Sequence, residues 1–144
     1  MFQANEESTE RSIVVLEDDP RRTNEMQAAV LESAFRQPFR FFDNAYKLSH
    51  WLELNAGNVQ LISLDHDLDT TTVREVEEAG TGLLIVDWLV ENRCLIPVLI
   101  HSSNAMRAPA MHLKLATAGW TELKLSPFVN SKKWADDIRR IVHE

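Results

Sequence analysis

The chain has 144 residues, 44% of them hydrophobic and 26% charged, with a formal net charge of −7 and a single cysteine, Cys94. This length suits one domain, one cysteine excludes an internal disulfide, and no apolar run approaches the ~20 residues that span a bilayer. The negative charge repels nucleic-acid backbones, so we expect neither broad DNA binding nor a membrane partner.

The predicted elements begin after a polar, acidic amino-terminal segment. Residues 1–11 lack the basic start and apolar middle of a secretion signal, so we expect a short flexible tail in a cytoplasmic protein. Residues 12–144 would then form one domain. The β-branched run 13–16 predicts a buried strand. Pro20 suits the first turn of a helix, and apolar residues recur at helical spacing over 21–35.

The middle of the chain continues to alternate strand and helix patterns. Residues 39–42 predict a second strand, and Asn44 is a candidate cap for a helix that ends near Gly57. Residues 61–64 predict a third, buried strand. Residues 69–79 are polar and lack apolar periodicity, so we expect a mobile loop over the strand ends.

The carboxyl-terminal half repeats the alternation. The segment 80–82, Gly-Thr-Gly, opens a helix over 83–92 that is apolar nearly all round, which is typical of a helix pressed against a sheet. Residues 97–100 predict a fourth strand. A helix with Pro109 in its first turn should follow, and Gly119 should end it in the left-handed conformation.

The last two elements complete the pattern. Residues 121–125 predict a fifth strand, and Ser131 is a candidate cap for a final helix. Five strands alternating with five helices predict right-handed crossovers. We therefore expect an α/β fold, a three-layer αβα sandwich around a doubly wound, five-stranded parallel sheet in the order 2-1-3-4-5.

Polar side chains follow three of these strands. They are Asp18 and Asp19 after the first, Asp65, His66 and Asp67 after the third, and His101, Ser102, Ser103 and Asn104 after the fourth. In the order 2-1-3-4-5 the three strands are neighbours, and ligands of such sheets bind at the carboxyl ends of the strands. We therefore expect the three groups to converge.

The carboxylates of these groups are candidate metal ligands. Grouped carboxylates repel one another unless a cation neutralises them or one takes up a proton, and oxygen ligands favour Mg²⁺ or Mn²⁺. Asp18, Asp19, Asp65 and Asp67 are the candidates. Alternatively, Asp19 caps the helix that begins at Pro20, and Asp67 orders a turn. Asp65 directly follows an apolar run, where a carboxylate is costly to bury without a partner.

The histidines and hydroxyls of the same groups are candidates for catalysis and binding. His66 and His101 would exchange protons with a phosphate substrate as general base and acid, or would be structural histidines or minor metal ligands. Ser102, Ser103 and Asn104 precede a helix and offer hydroxyl, amide and backbone N–H donors to an anion. The same residues also commonly make loop and capping contacts.

From residue 13 onward the sequence resembles the receiver superfamily of two-component response regulators. The residues in receiver order are Asp18-Asp19, Asp65, Ser102 and Ser126-Pro127-Phe128. The resemblance implies that the acidic pair binds magnesium and that Asp65 accepts a phosphoryl group. Ser126 stands where a receiver has lysine, and Lys124 takes the place of the switch aromatic. Lys124, two residues upstream, is a candidate to reach the substrate.

The sequence more closely resembles the cyclic-phosphate processing receiver domains. The motifs are Leu64-Asp65-His66-Asp67-Leu68, Gly80-Thr81-Gly82 followed by Asp87-Trp88-Leu89, and His101-Ser102-Ser103-Asn104. The resemblance implies action on cyclic phosphates of nucleotides or RNA ends, with the histidines joining the metal site.

Three functional hypotheses follow. The first is a metal-dependent phosphoesterase in which Asp65, His66 and His101 are catalytic and the partner is a phosphate-containing small molecule or RNA end. The second is a phosphoacceptor receiver domain that signals to a protein partner. The third is a phosphate or nucleotide sensor that binds without cleaving. Whether the protein is an enzyme stays open at this level.

Overall fold

The structure is a computed structural model that describes residues 11–67 and 79–142. Its strands are β1 (Ser12–Leu16), β2 (Phe39–Phe42), β3 (Val59–Leu64), β4 (Val98–Ile100) and β5 (Leu123–Leu125). Its helices are α1 (Pro20–Ser33), α2 (Ala45–Asn55), α3 (Gly82–Glu91), α4 (Arg107–Thr117) and α5 (Ser131–Val142), and a 3₁₀ turn spans Ala56–Asn58. The predicted tail 1–11 and loop 69–79 lie almost wholly outside the described residues.

All five strands form one parallel sheet in the order β2-β1-β3-β4-β5, as predicted. Alternate residues of each strand face opposite sides. Val14, Ile62 and Ile100 belong to the apolar layer shared with α2, α3 and α4. Ile13 and Leu61 belong to the layer shared with α1 and α5. The three-layer αβα sandwich is therefore confirmed. Within the described ranges, no helix combines the length and apolar content needed to cross a bilayer.

Side-chain caps determine where several helices begin. The Asn44 Oδ1 atom accepts a hydrogen bond from the Lys47 amide at 2.9 Å, which confirms the predicted cap of α2. The predicted cap of α5 at Ser131 is wrong by one residue, because Asn130 Oδ1 accepts from the Lys133 amide at 2.9 Å. Gly119, with φ +105°, follows α4 in the left-handed region as predicted.

Candidate functional site

The first residue after each of four neighbouring strands continues the ladder of the sheet. The amides of Glu17, Asp65, His101 and Ser126 donate to the last carbonyl of the adjacent strand, at 2.9, 3.1, 2.9 and 2.9 Å. Adjacent strands lie about 4.8 Å apart and side chains alternate between faces. The four side chains therefore form one row on the side of the sheet covered by α1 and α5.

Three members of this row form a compact cluster that could hold a metal ion. Glu17, Asp65 and His101 are buried, and one potential ligand atom from each lies within 4.8 Å of the other two. Sequence analysis identified Asp65 and His101 but missed Glu17. Strand alternation was the available signal, because Glu17 lies two residues beyond Val15, whose side chain faces the α1 and α5 layer.

The two acidic residues after Glu17 occupy different positions. Asp19 Oδ1 accepts hydrogen bonds from the amides of Arg21 and Arg22, at 3.0 and 3.4 Å, and so caps α1. Asp19 also borders the cleft described below. Asp18 lines a separate groove of about 490 Å³ between α1 and β2, which Glu17 also borders. The carboxylate that joins Asp65 and His101 in the cluster is thus that of Glu17.

Burial and mutual repulsion set the charge state of the two clustered carboxyls. Burial and the nearby charge of Glu17 raise the pKa of Asp65 to about 6. Burial also acts to raise the pKa of Glu17, but the hydrogen bond and charge of His101 outweigh it and hold that pKa below its usual value. Arg22 adds a positive charge, with its Nη1 3.3 Å from Glu17 Oε1 and 3.9 Å from Asp65 Oδ2. A positive charge beside the pair favours the ionised form of both carboxyls.

A buried chain of hydrogen bonds orients Glu17. Trp134 Nε1 donates to Ser63 Oγ at 3.0 Å, and Ser63 Oγ lies 2.7 Å from His101 Nδ1. Since the ionised Glu17 carboxylate can only accept, His101 carries a hydrogen on Nε2. Nε2 lies 3.0 Å from Glu17 Oε1 and donates to it. The His101 side chain is fully buried, and its hydrogen bond to Glu17 connects it to a residue that lines the cleft described below.

The second predicted histidine is held by its neighbours. His66 is buried, and its Nδ1 lies 2.8 Å from Asp67 Oδ1. Asn104 Nδ2 donates to Asp67 Oδ2 at 2.9 Å, while Asn104 Oδ1 accepts from the amides of Met106 and Arg107 at 3.0 and 2.8 Å. Partial burial acts to raise the pKa of Asp67, but Asn104 and His66 outweigh it and lower that pKa. Asn104 thereby links the end of β3 to the start of α4.

The Gly-Thr-Gly segment allows α3 to begin directly against the site. The Gly82 amide donates to the His66 carbonyl at 3.0 Å. A Cβ atom at Gly82 would lie 2.2 Å from the Asp65 carbonyl oxygen and 3.1 Å from the His66 Cα. No side chain fits in that space, which explains the glycine. The close approach positions the backbone of Asp65 and His66.

The converging strand ends enclose an open cleft of about 320 Å³. The residues that line it are Glu17, Asp19, Arg22, Asp65, Asp67, Ser102, Ser103 and Asn104. Ser102 is buried and hydrogen-bonds to Asp65, which offsets part of the rise that burial and Glu17 cause in the pKa of that carboxyl. Ser103 is exposed. The cleft therefore combines carboxylates, which attract a cation, with hydroxyl, amide and guanidinium donors, which attract an anion.

A lysine from α5 contacts the residue that stands at the receiver lysine position of the sequence. Ser126, which takes that position in the sequence, donates to Asp137 Oδ2 at 2.7 Å. Lys133 Nζ donates to Ser126 Oγ at 2.9 Å and to Asp137 at 3.1 Å. Lys124 lies within β5 opposite Leu99, and among the described residues it is not one of those lining the cleft.

Comparisons with known proteins agree with this architecture. Residues 13–117 match the model of the cyclic-phosphate processing receiver domain. The phosphorylated cyanobacterial phytochrome response regulator RcpA superposes with a TM-score of 0.65 at 15% identity, over 93% of this chain and 94% of that one. A DNA-binding response regulator of the LuxR family from Staphylococcus aureus gives 0.64 at 15% identity, covering 92% and 98%. A Francisella response regulator receiver domain gives 0.64 at 14% identity, covering 92% and 97%. No curated relative matches the sequence.

Proposed function

Because the chain belongs to the cyclic-phosphate processing receiver domain family, we propose that its cleft binds a divalent ion together with a phosphate ester and hydrolyses that ester, in particular a cyclic phosphate of a nucleotide or RNA end. The observation that carries this proposal is the composition of the cleft. Buried carboxylates and an imidazole lie together at the strand ends, and the cleft that these carboxylates line also holds anion donors from Ser103 and Arg22. A divalent ion needs the oxygen ligands, and the phosphate that binds with it needs the hydrogen-bond donors.

The ligand chemistry of the cluster fits Mn²⁺ or Mg²⁺. Glu17 and Asp65 would hold the ion, joined by His101 through Nε2 once the ion replaces the hydrogen that Nε2 donates to Glu17. The pKa of Asp65, raised by burial and by the charge of Glu17, belongs to a carboxyl whose ionised form a cation would stabilise. The imidazole favours Mn²⁺ over Mg²⁺. We place Glu17 in the ligand set instead of Asp18 and Asp19, because Asp19 caps α1. When bound, the ion supplies charge that polarises a phosphate oxygen.

The other residues of the cleft would bind and orient the substrate. Ser103, which is exposed and lines the cleft, would donate its hydroxyl to a phosphate oxygen. His66 is not one of the residues that line the described cleft, but Asp67 is, and Asp67 accepts from His66 Nδ1 and orients the ring. His66 is therefore the candidate to exchange a proton with the substrate through Nε2. In the metal-free protein His101 would position Glu17 through the same Nε2. Asn104 would keep Asp67 in place.

Hydrolysis of cyclic nucleotides tests the proposal. In Mn²⁺ or Mg²⁺, we expect the purified protein to add water across one P–O ester bond of a 2′,3′-cyclic nucleotide and release a monoester, detected by ³¹P NMR. Asp65→Asn should abolish turnover. Asp43→Asn is the matched control, because Asp43 is an exposed carboxylate at the end of β2. Turnover no greater than that of Asp65→Asn with any 2′,3′- or 3′,5′-cyclic nucleotide would contradict the proposal.

A phosphoacceptor function is the second candidate. The position of Asp65 directly after β3, with the Ser102 hydroxyl beside it, and the fold shared with response regulators favour it. Acetyl phosphate should then add one phosphoryl group to the wild-type protein but not to Asp65→Asn, as measured by intact-protein mass spectrometry. Tight binding of a cyclic nucleotide without product or covalent adduct would instead identify a sensor.

A further inference from the structure

Arg22 occupies the place where the cation of the proposed site would act. It is the third residue of α1, and its guanidinium lies close to the carboxylates of Glu17 and Asp65 and to the aromatic ring of Phe128. Its Nη1 is 3.3 Å from Glu17 Oε1 and 3.9 Å from Asp65 Oδ2, and its Cζ is 4.8 Å from the centroid of the Phe128 ring. Its side chain is 27% exposed.

We propose that Arg22 is an internal counter-cation of the Glu17 and Asp65 pair, that a divalent ion binds by displacing its guanidinium, and that the released guanidinium then contacts the phosphate. This inference rests on the proposed metal site.

Charge and coordination explain why the two cations compete. The guanidinium supplies one positive charge to two buried carboxylates, and its Nη1 donates to the Glu17 oxygen that also accepts from His101. A divalent ion on the same carboxylates would lie within a few ångströms of the guanidinium, where like charges repel. Arg22 must therefore withdraw when the ion binds. The same guanidinium lines the cleft, where it can donate two parallel hydrogen bonds to a phosphate.

Metal affinity measured without substrate tests the first part. Mn²⁺ binding to EDTA-treated protein, measured by calorimetry, should tighten by about tenfold in Arg22→Gln, a size typical of coupling between linked sites. Arg21→Gln is the matched control, because it removes the same charge from an exposed neighbour in the same helical turn. Equal changes in Kd for the two variants, or weaker binding in Arg22→Gln, would overturn the proposal.

The contact between Arg22 and phosphate needs its own measurement, and so does the case in which Arg22→Gln does not fold. Inorganic phosphate should bind the Mn²⁺-loaded Arg22→Gln protein more weakly than the Arg21→Gln protein, and equal affinities would overturn the phosphate contact. If Arg22→Gln does not fold, the wild-type protein suffices. Its Arg22 Nε–H NMR signal should shift as Mg²⁺ saturates the site, and an unchanged signal would refute displacement.

The outcomes also separate this inference from the hydrolase proposal. If Mn²⁺ binds more tightly to Arg22→Gln than to Arg21→Gln but no cyclic nucleotide is hydrolysed, hydrolysis would be contradicted and the role of Arg22 as counter-cation supported. Absence of Mn²⁺ binding to the wild-type protein and to both variants would overturn the metal site itself, and the counter-cation with it.

Discussion

Replacing Asp65 by asparagine should stabilise the metal-free protein at neutral and alkaline pH. Asp65 is 6% exposed and its pKa is raised from 3.8 to about 6 by burial and by Glu17. A carboxyl whose pKa is raised by folding binds its proton more tightly in the folded state. The contribution of Asp65 to stability is therefore greatest below pH 3.8 and is lost as the pH rises through about 6. An asparagine side chain at this position would have no charge to desolvate.

The size of the effect follows from the pKa shift. At ~1.4 kcal/mol per pKa unit, a shift of about two units corresponds to about 3 kcal/mol, lost in full above pH 7. We therefore expect Asp65→Asn to raise the free energy of unfolding by about 2–3 kcal/mol at pH 8 and by close to zero at pH 4. In a domain of this size that gain would raise the Tm by roughly 6–9 °C.

Urea unfolding followed by tryptophan fluorescence measures the difference. The experiment compares wild type, Asp65→Asn and the exposed control Asp43→Asn in EDTA between pH 4 and pH 8. Added Mn²⁺ should then stabilise wild type and not Asp65→Asn, because the variant lacks a ligand of the proposed ion. An Asp65→Asn protein that is less stable than wild type at pH 8, or a stability gap that does not shrink toward pH 4, would refute the electrostatic argument.

Three further substitutions test the positioning contacts. Ser63→Ala should lower the free energy of unfolding by about 1–3 kcal/mol in urea titrations, because it leaves its two buried ring partners unsatisfied. Gly82→Ala should lower the Tm and weaken Mn²⁺ binding, whereas Gly57→Ala, whose Cβ meets nothing within 4 Å, should leave Mn²⁺ binding unchanged. Asn104→Ala should raise the pKa of Asp67 in an NMR titration, and an unchanged pKa would show that the hydrogen bond between the two side chains does not set it.

Local patterns determined most of the architecture. The apolar runs ending at Leu16, Leu64 and Ile100 predicted the three central strands. In the structure each of these strands ends at the last residue of its apolar run. The strand order was predicted as that of the flavodoxin-like doubly wound fold, and it places Asp65 and His101 at the same edge of the sheet. The cap at Asn44 was equally local, since it depends on residues three apart.

Only the tertiary structure decided which side chains form the site. The string Glu17-Asp18-Asp19 offers three carboxylates, and which one faces Asp65 depends on β1 continuing its ladder to β2 by one residue. The contact between His101 and Glu17 joins residues 84 positions apart. Arg22 reaches the carboxylates of the site because α1 packs on the same side of the sheet. Periodicity reports which face of an element is buried, but the partner of a buried charge is set by neighbours that packing brings from elsewhere in the chain.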